Sequence, residues 1–120
     1  MELSNDLVDA ENFLRENSFK NSIKKYLEVA KQFEALNDYE TASYFHNRCL
    51  EISKDFKYLE GQANAYKGLG ICEEKVLNIM QAMKYLETAQ EKAIDANKNN
   101  IEKDISQELV RVYQIIAIDF

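Results

Sequence analysis

His46 is the single histidine of the chain, and Cys49 and Cys72 are its two cysteines; any metal centre or thiol chemistry would draw on these first. A structural zinc site clusters four Cys or His ligands. One histidine with two distant cysteines, and no Cys-x-x-Cys spacing, does not supply that set. Cys72 follows Gly70 closely and is expected to be partly exposed, yet no basic neighbour stands beside it to lower its pKa. His46 and Cys49 read as packing residues, and the adjacent acids Glu73 and Glu74 project from different faces of a helix. The stretch YKGLGIC, residues 66–72, contains Gly68-Leu-Gly70, which has the outline of a phosphate loop. Such a loop needs a strand before it and a nucleotide-binding helix after it, and ICEEKVLNIM does not open one. No His-Glu-x-x-His, calcium loop or paired nucleophile and base is present, so the expectation is no catalytic residue, no metal and no cofactor.

The elements that carry these residues are legible from composition. The 120 residues include no proline and three glycines, too little turn chemistry for a sheet-rich chain, so helices joined by short loops are expected. Apolar residues make up 46%, enough for one packed domain over 1–120. The net charge of −6 argues against nucleic acid as a partner. No apolar run is long enough to span a membrane, and the acidic start MELSNDLVDAEN does not resemble a signal peptide. Two unpaired cysteines suit a reducing, cytoplasmic setting.

Shifting the chain against itself by forty residues aligns Tyr26, Val29, Ala30 and Phe33 with Tyr66, Leu69, Gly70 and Glu73, then with Ser106, Leu109, Val110 and Tyr113. Ala42 aligns with Ala82 and Cys49 with Ala89. Spacings of three, four and seven bring side chains to one helical stripe, so the unit is a pair of helices with tight turns near 36–38 and 77–78. The reading is a leading helix over 1–17, a pair over 19–54 (helices 19–36 and 38–54), a pair over 57–97 (helices 59–74 and 79–97), and an opening helix over 99–120. The Asn-rich stretch 97–100 is expected to be linker, and YQIIAIDF to continue the last helix despite its β-branched content.

Small residues at Ala30, Ala42, Gly70 and Ala82 would let antiparallel helices approach closely, whereas Gly68 is expected to face outward or toward a partner. Phe56 and Tyr58 would plug the joint between pairs, with Phe19 doing the same one unit earlier.

Tyr66, Leu69, Gly70, Ala82 and Ala89 resemble the tetratricopeptide repeat family, and Tyr26, Val29, Ala30, Phe33 and Ala42 repeat the pattern. The forty-residue period is similar to that of cell-polarity and motor adaptors. A weaker resemblance, through DYETASYFHNRCLEISKD, is to an axonemal member of the family. Glu73 departs from the pattern, which has an aromatic there. The resemblance implies an all-α, right-handed solenoid of antiparallel helix pairs, about six helices in all. It further implies a non-catalytic module that presents a concave surface to a peptide or partner helix.

On that resemblance the inward positions are Lys24, Leu27, Glu28, Lys31 and Glu34 in the first pair. In the second they are Asn64, Lys67, Ile71 and Glu74, and in the third Asp104, Gln107, Glu108 and Arg111. Leu27 and Ile71 would be apolar anchors, while Lys31, Lys67 and Arg111 would hold acidic groups of the partner. The last helix has no second partner within the chain, so Tyr113, Ile115, Ile116, Ile118 and Phe120 are expected to form an end interface capable of self-association. The alternative is a structural subunit fixed in a cytoskeletal, ciliary or axonemal assembly.

Overall fold

Helix ends recur every twenty residues, half the period legible in the sequence. The structure, a computed structural model describing residues 2–119, contains α1 (Glu2–Arg15), α2 (Phe19–Ala35), α3 (Tyr39–Asp55), α4 (Leu59–Lys75), α5 (Ile79–Asp95) and α6 (Asn99–Asp119). Between them stand five three-residue loops, each with its middle residue in the left-handed region: Asn17, Asn37, Lys57, Leu77 and Asn97. The backbone closes in the same way each time. Around the second loop, Asp38 N–H donates to Phe33 C=O at 2.9 Å and Asn37 N–H to Glu34 C=O at 2.9 Å. This paired closure ties up carbonyls that the ending helix leaves free, and it normally uses glycine or asparagine at the left-handed position. Asparagine fills three of the five, which explains how a chain with three glycines turns five times; no glycine here has positive φ. The residue after the left-handed one caps the next helix, and Asp38 does so with its side chain, accepting from Thr41 N–H at 3.2 Å.

Loops this short force consecutive helices to lie antiparallel, and each helix packs on the next from α1 to α6, with α4 also touching α6. The result is an all-α, solenoid-like row of six helices among the described residues, about 48 Å along its longest axis. Among the described residues, no helix is long and apolar enough to cross a membrane.

The centre of the row is α4, which is buried on several sides. Gly61, Ala63, Ala65, Gly68, Gly70 and Cys72 are all buried. A Cβ on Gly70 would stand 2.8 Å from Leu86 Cγ and 3.3 Å from Ala82 C=O, so its absence lets α5 seat against α4. Ala30, Ala42 and Ala82 are fully buried, as their spacing suggested. Gly68 does not face outward. A Cβ there would overlap the His46 ring, so Gly68 is the socket into which α3 inserts its histidine. Each glycine costs roughly 1 kcal/mol of helix propensity, and close packing on two faces offsets it.

Two apolar clusters flank α4. Ala10, Tyr26, Cys49, Leu50, Ile52, Ala65 and Leu69 form one, and Ala63, Leu86, Ala89, Ala93, Ile101, Ile105, Leu109 and Val112 form the other, with Tyr66 packed on both. The buried position recurs every twenty residues as Val29, Cys49, Leu69, Ala89 and Leu109. The last helix packs on the helices before it, Ile101, Ile105, Leu109 and Val112 burying against α5 and α4, and no further helix follows it among the described residues. It begins at Asn99, so the linker is shorter than the Asn-rich stretch, and it continues as helix through Ile118. Phe19 does not serve a separate joint. It stacks on Phe56 at 4.4 Å between ring centres and meets Tyr58 edge-on at 5.6 Å, one aromatic plug at the start of α2 and the α3–α4 loop.

Candidate binding cleft

Two parallel stripes, one on α2 and one on α4, face each other across α3. Leu27, Lys31 and Glu34 stand four and three residues apart on α2, while Asn64, Lys67, Gly68 and Ile71 cover the matching turns of α4. Such spacings place side chains on one helical face. Because α2 and α4 are both neighbours of α3, their stripes border an open cleft of about 240 Å³ whose floor includes His46. That volume lies below the range typical of small-molecule sites and is of the size that takes one or two inserted side chains. Its wall is apolar at Leu27 and Ile71, and Lys31 and Lys67 stand at its edge.

The cleft is cationic in part because its charges are only partly compensated. Lys67 Nζ lies 3.9 Å from Asp104, a loose pair, and Lys31 has no ion pair among the described residues. Glu34 is occupied elsewhere: its Oε1 lies 2.6 Å from His46 Nε2 and 3.8 Å from Cys72 Sγ. The hydrogen bond from His46 holds the Glu34 carboxyl below its ordinary range, against the opposing effect of burial. An ionised carboxylate only accepts, so Nε2 carries the proton and Nδ1, buried against Gly68, has no hydrogen-bond partner. Cys72 is 1% exposed, not partly open as its position beside Gly70 suggested. Burial pushes its thiol up to about 11. The chain of contacts runs imidazole, carboxylate, thiol, an order that pairs the thiol with an acid and leaves it unactivated.

Of the remaining inward positions, Glu74 is buried on α4 and accepts from Arg111 Nη2 at 2.8 Å, and Arg111 also pairs with Glu108. Arg111 is thereby committed to tying α6 to α4 and is not brought into the cleft. Glu28 pairs with Lys25 at 3.5 Å, while Lys24 and Gln107 are exposed outside the cleft. At the far end Tyr113 donates to Glu87 at 2.8 Å and Ile116 packs on the α4–α6 cluster. Ile115 is half-buried, and Ile118 is 84% exposed. Of the expected end interface, Tyr113 and Ile118 are thus exposed and Ile115 and Ile116 half-buried, while Phe120 lies outside the described residues.

No family model and no curated protein matches this chain. The cleft's meaning therefore rests on its own residues. Sequence reasoning found five of them, Leu27, Lys31, Asn64, Lys67 and Ile71, together with Glu34. It missed His46 and Gly68 as parts of the same place. The available signal was the mid-helix glycine itself, because a residue that weakens a helix implies that something fills the space its side chain would take.

A second polar network ties the other end. Tyr26 donates to Glu11, Arg48 reaches the same carboxylate at 3.4 Å, and the Arg48 guanidinium lies 5.6 Å from the Tyr26 ring centre. This joins α1, α2 and α3 and leaves the α2–α4 face open.

Proposed function

We propose that the chain is a non-catalytic interaction module of tetratricopeptide type, which receives a segment of a partner protein in the α2–α4 cleft. The observation that carries this reading is the convergence of Leu27, Lys31, Asn64, Lys67 and Ile71, drawn from two repeats, on one open concavity. The occupant that suits it pairs a short apolar side chain with a neighbouring Asp or Glu. The apolar group seats between Leu27 and Ile71, and the acid meets Lys31 and Lys67. Steering by the exposed Lys31 and the half-buried Lys67 raises the encounter rate and makes binding fall with salt.

A display library of random peptides tests it. The wild-type chain selects acidic–apolar motifs, and the Lys31→Glu, Lys67→Glu double variant loses them, while Lys103→Glu on α6 does not. Selection of the same motifs by the double variant ends the reading. A second reading, a subunit held in a cytoskeletal or ciliary assembly, is favoured by the exposed Val110, Tyr113 and Ile118 on α6. It predicts self-association or co-assembly that survives charge reversal in the cleft.

A further inference from the structure

Three potential metal ligands of different chemistry converge where α2, α3 and α4 meet: a carboxylate, an imidazole and a thiol whose ligand atoms all lie within 4.8 Å of one another. The sequence argued against a metal because its one histidine and two cysteines stand far apart. Folding removes that objection for His46 and Cys72, and adds Glu34. We infer that Glu34, His46 and Cys72 form a three-ligand site for a borderline-soft divalent cation such as Zn²⁺, with a fourth position opening toward the cleft that Glu34 and His46 line. This does not depend on what protein the cleft receives.

Geometry supports it first. Zinc–ligand bonds of about 2.0–2.3 Å at tetrahedral angles place ligand atoms roughly 3.3–3.7 Å apart. The Glu34–Cys72 separation of 3.8 Å already suits this, and the Glu34–His46 contact of 2.6 Å must open. Glu34 is 28% exposed, so its carboxylate has room to turn. Cys72 also borders a second opening with Ser43 and Glu73, so an ion has an approach from either side.

Charge and softness support it next. One carboxylate and one thiolate neutralise a divalent cation, so the occupied cluster buries no net charge. Thiolate with imidazole favours zinc, cobalt or copper over magnesium or calcium. Cys72 gives up its proton to solvent as the sulfur–metal bond forms, and the imidazole proton moves to Nδ1. That nitrogen faces Gly68 without an acceptor, and a missing outer partner typically costs 10–100-fold in affinity. The site is therefore one of reversible occupancy. His46 and Glu34 satisfy each other without a cation, so the fold does not require one.

The test is a titration of the full chain with Co²⁺, followed by absorbance. One equivalent should produce a thiolate-to-cobalt charge-transfer band in the near ultraviolet with intense visible bands of four-coordinate cobalt, both erased by Zn²⁺ and untouched by Mg²⁺. Cys49→Ala should keep both bands. Cys72→Ala should lose the charge-transfer band, and Glu34→Gln should weaken cobalt binding by more than about tenfold, helix content by circular dichroism being unchanged. A folded wild-type chain that shows no such band overturns the assignment, as does a band that survives Cys72→Ala. The wild-type titration decides the matter even if a variant fails to fold.

Discussion

The imidazole of His46 occupies the space that a side chain on Gly68 would need, so α3 and α4 interlock through a ring and a missing Cβ. His46 is 3% exposed and its Nε2 is held by Glu34, which leaves the ring little freedom to move aside. In a free helix Gly68→Ala would gain roughly 1 kcal/mol of propensity. Here overpacking costs about 1–3 kcal/mol, so the variant is expected to be destabilised. Urea denaturation reads the sign directly. Combining it with His46→Ala should recover part of the loss in a double-mutant cycle; additive losses would mean that the two residues do not share the space.

The left-handed positions make the opposite prediction. Leu77 has φ of 67° and is 82% exposed, so its side chain adds backbone strain with little burial in return. Leu77→Gly should stabilise the chain by about 1 kcal/mol, as glycine carries no Cβ penalty there. The same change at Asn37 should give less, since asparagine tolerates the conformation. A fall in denaturation midpoint for Leu77→Gly would refute this.

Leu69 on α4 and Leu86 on α5 belong to different apolar clusters and are 2% and 0% exposed. Truncating either to alanine should cost about 2–5 kcal/mol. A loss below roughly 0.5 kcal/mol at both positions would show that the helix register is wrong. Cys49→Ala, a smaller deletion at the equivalent repeat position, should cost less than Leu69→Ala.

Acid sensitivity should have a contribution from Glu11. The Tyr26 hydroxyl, and to a smaller extent Arg48, hold its carboxyl below the ordinary range against partial burial. A group with a depressed folded-state pKa contributes stability that is fully present above its unfolded value and is lost as pH falls through the folded one. The thermal midpoint of Glu11→Gln should therefore fall less than that of wild type as pH drops below about 4.3, the usual glutamate value. Glu11 is 46% exposed, so solvent screening keeps the effect small. Identical acid profiles for the two proteins would remove Glu11 from the account.

Much of the fold was legible because its causes are local. Apolar residues at three, four and seven mark a helical face, and a polar stretch such as Asn97-Lys-Asn-Asn100 marks a break between helices. The small residues Ala30, Ala42, Gly70 and Ala82 announced close helix contacts. The twenty-residue period was less visible, since Tyr26, His46, Tyr66, Leu86 and Ser106 fill one repeat position with four different residue types. Half of the cleft, Leu27, Lys31, Lys67 and Ile71, was named through the resemblance to the tetratricopeptide repeat family, which implies the inward positions, and not through spacing alone.

What the sequence by itself determined is thus which residues form helices, where the chain turns, and which face of each helix is apolar. The tertiary structure alone decided that His46 enters Gly68, that Glu34 and Cys72 meet beside it, and that Arg111 is drawn to Glu74 and away from the cleft. The physical reason is range. Helical periodicity is settled within a turn or two of backbone, whereas the meeting of side chains from α2, α3 and α4 depends on how far each helix slides and rotates on its neighbour. That offset is the sum of many weak packing contacts, and no short stretch of sequence contains it.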